Sequence, residues 1–398
     1  MTRAERPPAD VGPGAVRLLM ATSATSSFDR FVVGTLLVSL AADLGEPLDG
    51  AASVASAYYL CYGLSQPLWG RCSDRLGRVR TLRLAFALAA VAGVASAVAP
   101  SLGPLVAARA VAGACMAAVV PTALVYVGDA VPIARRHQSL TDINAATASG
   151  ITVATALGGV LAATLSWRVA FLVPAVAAGA LAVVLSRLPE PPRARGRQGG
   201  VLTVLRHGWG RVVLALALVE GAALLGLLTY FAPALESAGA SPTTAGPVVA
   251  LYGVGLLLAS RVVKRVAARV PPPVFLAGGA LGLVAAYSLA AVSQSLPVVG
   301  GAALLVGAAW AGMHSTMQTW ATEVVPQARA ATVSLFAAAL FVGSGTVTAA
   351  LAPLAGALRW GALFSVGVVV AAAFGVVAVL ARQRYARAPA APVPPPVA

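Results

Sequence analysis

Apolar runs about as long as a lipid bilayer is thick recur along this 398-residue chain, separated by short breaks marked by proline, glycine or arginine. An α-helix rises about 1.5 Å per residue, so roughly 20 mostly apolar residues cross the hydrocarbon core. Twelve segments reach that length: 16–41, 51–70, 81–99, 102–127, 140–165, 168–187, 211–233, 244–263, 273–293, 296–320, 329–352 and 359–381. None shows the polar–apolar alternation, in stretches of about ten residues, that marks a membrane β-barrel. The pattern predicts an all-α membrane protein with twelve transmembrane helices.

Charge adds a direction. Of the 28 Lys and Arg residues, all but Arg30, Arg109, Arg168 and Arg359 fall on one side of the predicted membrane. Basic residues collect in cytoplasmic loops, so the chain is expected in the cell (inner) membrane with both termini cytoplasmic. The first outer loop, 43–50, is acidic. Dropping one span would invert this alternation downstream, so the charge distribution tests the helix count. The longest inner connection, 188–210, is rich in Pro, Gly and Arg and reads as a cytoplasmic linker. It divides an N-terminal six-helix bundle, 1–187, from a C-terminal one, 211–384. The proline-rich tail, 385–398, is expected to be disordered.

The halves read as repeats. Arg17 opens the first span and Arg211 the seventh, and each is followed by an intramembrane acid, Asp29 or Glu220. "SRVVKRVAAR" (Ser260–Arg269) takes the place in the second half that "GRCSDRLGRVR" (Gly70–Arg80) takes in the first. Paired six-helix repeats are a transporter architecture, with the binding site near the midplane between them.

Composition narrows the function classes. Hydrophobic residues make up 59% of the chain and charged ones 10%, against about 25% charged in soluble domains. The net charge of +15 sits in gaps between apolar runs, not on one face of a soluble fold, which argues against nucleic acid. Cys61, Cys72 and Cys115 have no metal-ligand spacing. There is no phosphate loop and no nucleophile–base pair, so neither an enzyme nor a cofactor or metal is expected. The apolar stretch 31–42 continues a helix from Arg17 and is read as part of the first span, not a cleaved leader.

Ionisable groups inside a membrane are costly and usually face a cavity or each other. The candidates are Asp29, Arg30, Arg109, Glu220 and His314. Thr22, Ser26 and Asp29 share one helix face, and Ser23, Ser27 and Arg30 form the next stripe, which predicts a wet cavity wall. Asp29 is expected to carry protons with Arg109 as its partner; a purely structural pair between them is the alternative. Glu220 is a second protonation site or a contact for a cationic substrate, or else bridges to Arg30. His314 serves proton transfer or packing; Trp310 and Met317 share its face, with Gln318 close by. Tyr58, Tyr62, Ser65, Tyr230, Tyr252 and Met116 are further cavity candidates. Trp69, Trp167, Trp320 and Trp360, near span ends, read as interfacial anchors.

In "GRCSDRLGRVR", Gly70 and Gly77 permit a tight turn, and the arginines hold the loop inside. Asp74 adds nothing to that rule and should be ionised and paired. This stretch resembles the signature between helices 2 and 3 of the major facilitator superfamily, matched by Gly70, Asp74, Arg75, Gly77, Arg78 and Arg80. "LVAARAVAGACMAA" (Leu105–Ala118) is similar to that family's helix-4 motif through Arg109 and Gly113, and "SWRVAF" (Ser166–Phe171) to its helix-6 opening. In "ATALGG" (Ala154–Gly159) the Gly158–Gly159 pair of the antiporter motif is kept, while Ala154 and Thr155 stand where Gly-Pro is usual. The resemblance implies a gating latch, with Asp74 facing the start of helix 11 near Pro326–Thr332 and Arg78 reaching Asp129. It further implies a monomeric secondary transporter working by alternating access. The expected activity is proton-coupled efflux of small, mostly apolar organic compounds or drugs. Transport of a specific metabolite (sugar, amino acid or siderophore) is the alternative, and a non-transporting membrane sensor is the alternative of another class.

Overall fold

The computed structural model describes residues 12–191 and 200–387, and its described residues form helices and no strands. Ten of these helices are long and apolar enough to span a membrane on length and composition alone. Two more precede them. The first, α1, runs Pro13–Phe31, passes through a 3₁₀ turn at Val32–Thr35 and resumes at Leu37–Leu44; the second, α2, is Leu48–Leu76. They are the least apolar because α1 carries Arg17, Asp29 and Arg30 inside it, and α2 carries Tyr58, Tyr59, Tyr62 and Gln66. The others are α3 Arg78–Ala97, α4 Leu102–Ala130, α5 Ile133–Thr164, α6 Trp167–Arg187, α7 Gly208–Ser237, α8 Pro242–Val266, α9 Pro272–Val292, α10 Leu296–Glu323, α11 Pro326–Gly356 and α12 Trp360–Arg387. The twelve-helix architecture is the one the hydropathy pattern predicts.

Helix ends follow local rules. Proline at the first or second position starts α8, α9 and α10, where its missing N–H has no intrahelical partner to lose. Gly45, in a left-handed conformation, ends α1. The α12 helix passes the 384 boundary and runs through Tyr385 to Arg387, and the rest of the tail lies outside the described residues. Within the linker, Val201–Arg206 form a short helix, while 192–199 lie outside the described residues, as do 1–11.

Packing repeats with a period of six helices. The pairs α1–α5, α2–α4 and α3–α6 recur as α7–α11, α8–α10 and α9–α12, and the halves meet through α2–α11 and α5–α8. The repeat reaches single residues: a Cβ on Gly113 would lie 2.4 Å from the Tyr58 carbonyl, and one on Gly307 would lie 1.9 Å from that of Tyr252. These pairs are separated by one and the same offset in sequence. Only glycine lets the backbones approach so closely, which is how small residues join helices in lipid.

Five helices lose regular geometry along their length, α8 among them through a break at Ala250 between Pro242–Val249 and Leu251–Val266. The α1 helix has its 3₁₀ turn, α4 loosens between Met116 and Val119, α7 has a π-turn at Ala222–Gly226, and α10 has one at Trp310–His314. Apart from α8, these are the first and fourth helices of each half.

Candidate functional site

The helix irregularities lie beside the buried ionisable groups, as π-turns at functional positions often do. On α1, one turn before the break, the Asp29 carboxylate accepts from both Nη atoms of Arg109 on α4, at 2.8 and 3.1 Å. A further Arg109 N–H donates to the Asp29 backbone oxygen at 2.8 Å. Arg109 is wholly buried, and its guanidinium lies 4.6 Å from the ring centres of both Tyr58 and Phe171. A fork–fork pair of this kind fits an ionised carboxylate, which accepts at both oxygens. The sequence-predicted partners are therefore in contact.

In the second half, Glu220 sits on α7 two residues before its π-turn and is fully buried. Its Oε1 lies 3.3 Å from Nδ1 of His314, the last residue of the α10 π-turn, while its Oε2 has no hydrogen-bond partner. The His314 ring lies tilted against Trp310, with centres 4.3 Å apart, and against Phe336 at 5.8 Å. The alternative bridge between Glu220 and Arg30 is not formed; among the described residues the acid faces His314. Arg30 instead lies among the rings of Phe31, Tyr62 and Phe341.

The charged hairpin differs from its sequence reading. Gly70 is inside α2, and the whole turn is reduced to Gly77, with φ +105°, between Leu76 and Arg78. Arg78 is the hub: it donates to Asp129 Oδ2 at 3.0 Å, to Asp74 Oδ1 at 2.6 Å and to Ser73 Oγ at 3.0 Å. The expected Arg78–Asp129 contact is present. The expected contact of Asp74 with the start of α11 is not; among the described residues Asp74 pairs with Arg78, four residues away, and its side chain is 71% exposed. Arg75 and Arg80 are exposed beside it. Sequence reading missed Glu190. Its carboxylate sits over Gly77 and accepts from the backbone N–H groups of Val79 and Arg80 at 3.2 and 3.3 Å, capping α3. A lone acid at the start of a basic, proline-rich linker was the available signal.

Other candidates scatter. Ser26 packs against α4, its hydroxyl 3.5 Å from the Met116 carbonyl, and Thr22, Ser23 and Ser27 are also buried, so the polar stripe of α1 is a packed seam and not an open wet wall. Tyr58, Tyr62, Tyr252 and Met116 are buried around it, with Ser65 partly so. Tyr230 donates to the Thr348 backbone and lies against Trp360, away from the buried acids. Gln318 is exposed although Met317 beside it is buried. The end tryptophans are pins within the protein more than interfacial anchors. Trp320 is buried against Trp209 and Tyr385, Trp360 is buried, and the Trp167 and Trp69 N–H groups donate to Asp43 and to the Ala114 carbonyl.

The family model described as Major Facilitator Superfamily matches residues 19–348. A triacylglyceride transporter of Mycolicibacterium hassiacum is 31% identical over 206 residues, covering 50% of this chain and 37% of that protein. The cephamycin export protein of Amycolatopsis lactamdurans is 30% identical over 249 residues, 57% of this chain and 51% of that one. The chain thus spans about half or less of these relatives' length. Among solved structures, a bacterial homologue of the human lysosomal transporter Spinster, inward-facing and unoccupied, matches with a TM-score of 0.75 at 17% identity, over 96% of this chain and 98% of that one, a likeness of fold.

Proposed function

The chain belongs to the Major Facilitator Superfamily, and on that premise we propose that it is a proton-driven exporter of small, mostly apolar organic compounds, working by alternating access. The observation that carries this reading is the buried Asp29–Arg109 pair, with Glu220 and His314 opposite it in the other half. Protonating Asp29 removes one charge of the pair and leaves Arg109 buried without its counter-ion. A conformation that rehydrates the guanidinium then becomes favourable. Releasing the proton on the other side restores the pair. The proton gradient is thereby converted into a bias between two packings of the halves.

The halves move, in this reading, as bundles 1–187 and 211–384 about the linker. The basic linker face is cytoplasmic by the distribution of arginines. On the opposite face the halves touch, Gly34 against Thr229 and Gly159 against Pro242. On the linker face Asp74 pairs with Arg78 and not with α11. Names given to relatives for export and lipid transport favour an apolar cargo leaving the cell. One chain holds both halves and so suffices as a monomer.

The test is flux in proteoliposomes under an imposed pH gradient, with apolar dyes as cargo. Asp29→Asn should insert normally and lose gradient-driven flux by about two orders of magnitude, since the titrating group is gone. Wild-type protein that moves nothing under any gradient would favour the sensor alternative. Gradient-driven flux surviving in Asp29→Asn would remove Asp29 from the coupling.

A further inference from the structure

Arg30 is left over when the buried charges are paired. Asp29 is held by Arg109 at both oxygens, and Glu220 faces His314. Arg30 is 6% exposed, and among the described residues no carboxylate lies within ion-pair distance of it. Its Nη2 reaches only Ser27 Oγ, at 3.5 Å, and its Nε is buried with no hydrogen-bond partner. What surrounds it are three rings: the guanidinium carbon is 5.1 Å from the centres of Phe31 and Tyr62 and 4.9 Å from that of Phe341. Ring faces offset part of the desolvation of a cation. They offer no acceptors for a guanidinium's five N–H donors, which match the paired oxygens of an oxyanion.

The position matters as much as the chemistry. Phe31 and Tyr62 belong to the first half and Phe341 to α11 of the second, so Arg30 lies at the seam where alternating access would open the molecule. Phe31 also lines a small cavity of about 20 Å³ whose walls, including Thr35, Tyr59, Thr155, Thr229 and Tyr252, come from both halves and carry aromatic rings and hydroxyls but no charge. In the present packing it admits nothing larger than water; parting the halves enlarges it.

We propose that Arg30 is the anchor for a carboxylate on the transported compound, and that the uncharged, ring-lined space beside it takes that compound's flat apolar body. This assignment rests on the transporter reading and narrows it to organic acids. The aromatic cage shields the cation while the site is empty, and Phe341 withdraws with the second half as the acid enters. The fork of Arg30 then binds the carboxylate at both oxygens, replacing the cage with a charge-assisted pair.

The experiment uses full-length protein in detergent and in proteoliposomes, with three size-matched probes: naphthoate, naphthamide and naphthylmethylammonium. By calorimetry, naphthoate should bind at least about tenfold more tightly than naphthamide, the scale of one charge-assisted hydrogen bond. Arg30→Met should abolish that preference and melt at or above the wild-type temperature, because it removes a buried cation without a counter-ion. Arg30→Lys should keep part of the preference. Equal binding of naphthoate and naphthamide by wild type, a preference that survives in Arg30→Met, or a lower melting temperature in Arg30→Met would each overturn the assignment; the last would make Arg30 a packing element. The two readings fail separately. Flux of naphthamide or the amine at rates indifferent to Arg30 keeps the transporter and removes the anion site. Arg30-dependent naphthoate binding with no flux of any probe keeps the site and removes the transporter.

Discussion

Arg109 shows how far one side chain can be committed to a single partner. It has no solvent exposure, two rings lie within 4.6 Å of its guanidinium, and both its Nη atoms bind Asp29. Breaking a buried pair from one side leaves an uncompensated charge, at a cost of about 3–5 kcal/mol. Arg109→Ala is therefore expected to destabilise the protein by that amount. Adding Asp29→Asn to it should restore at least half of the loss, because the orphaned carboxylate is then neutral. A double-mutant cycle on detergent-solubilised protein, read by thermal or denaturant unfolding, measures this coupling. Additive losses would mean that the pair contributes no mutual stabilisation. The double variant should still fail in gradient-driven flux, which separates folding from proton coupling.

At the scale of elements, the α2–α3 joint depends on a residue from far along the chain. Gly77 has φ +105°, and a Cβ there would lie 2.5 Å from the Glu190 carboxylate. Glu190 holds the first N–H groups of α3, where an anion also meets the positive end of the helix dipole. Gly77→Ala and Glu190→Ala should each cost about 1–2 kcal/mol, the scale of a lost helix cap. Because both remove the same contact, their effects should overlap, and each should speed hydrogen exchange at the Val79 and Arg80 amides. Unchanged exchange there in Glu190→Ala would show that the cap contributes nothing. The sequence made Asp29–Arg109 legible because ions stranded in apolar runs have few possible partners, while Arg78–Asp129 was legible only through the family resemblance of the hairpin. It did not reveal Glu190, whose contact is set by tertiary folding. Nor did it reveal that Asp74, one helical turn from Arg78, would be drawn to that nearer guanidinium and away from α11. The break in α4 had Pro121 to announce it, whose missing N–H leaves the Ala117 carbonyl without its helical partner; the turns of α1 at Val32–Thr35, α7 at Ala222–Gly226 and α10 at Trp310–His314 had no proline within them and lie beside buried charge. The end tryptophans were misjudged because a position near a span end does not say which way a ring faces.

Across the whole molecule, glycines decide where the halves touch. Gly158 and Gly159 are the two positions of "ATALGG" that resemble the antiporter motif, and their contacts explain why glycine stands at both. A Cβ on Gly158 would lie 2.2 Å from the Thr35 hydroxyl, and one on Gly159 would lie 2.2 Å from the Pro242 carbonyl across the seam. The same face brings α1 to α7, where a Cβ on Gly34 would lie 3.6 Å from the Thr229 Cα. With the Gly34 Cβ position this close to the Thr229 backbone, the pair is a candidate for a disulfide, which needs Cβ atoms about 3.8 Å apart. If the halves must part here for export, a covalent tie at this point locks the cycle. The pair Gly34→Cys and Thr229→Cys, made in a background with Cys61, Cys72 and Cys115 replaced by serine, should form a disulfide under mild oxidation and lose transport. A membrane-impermeant reductant added outside intact cells should restore it, because this face lies opposite the basic linker. Recovery only with a permeant reductant would place the face inside and reverse the topology. Full transport by the oxidised, cross-linked protein would mean that the two halves do not separate here at all.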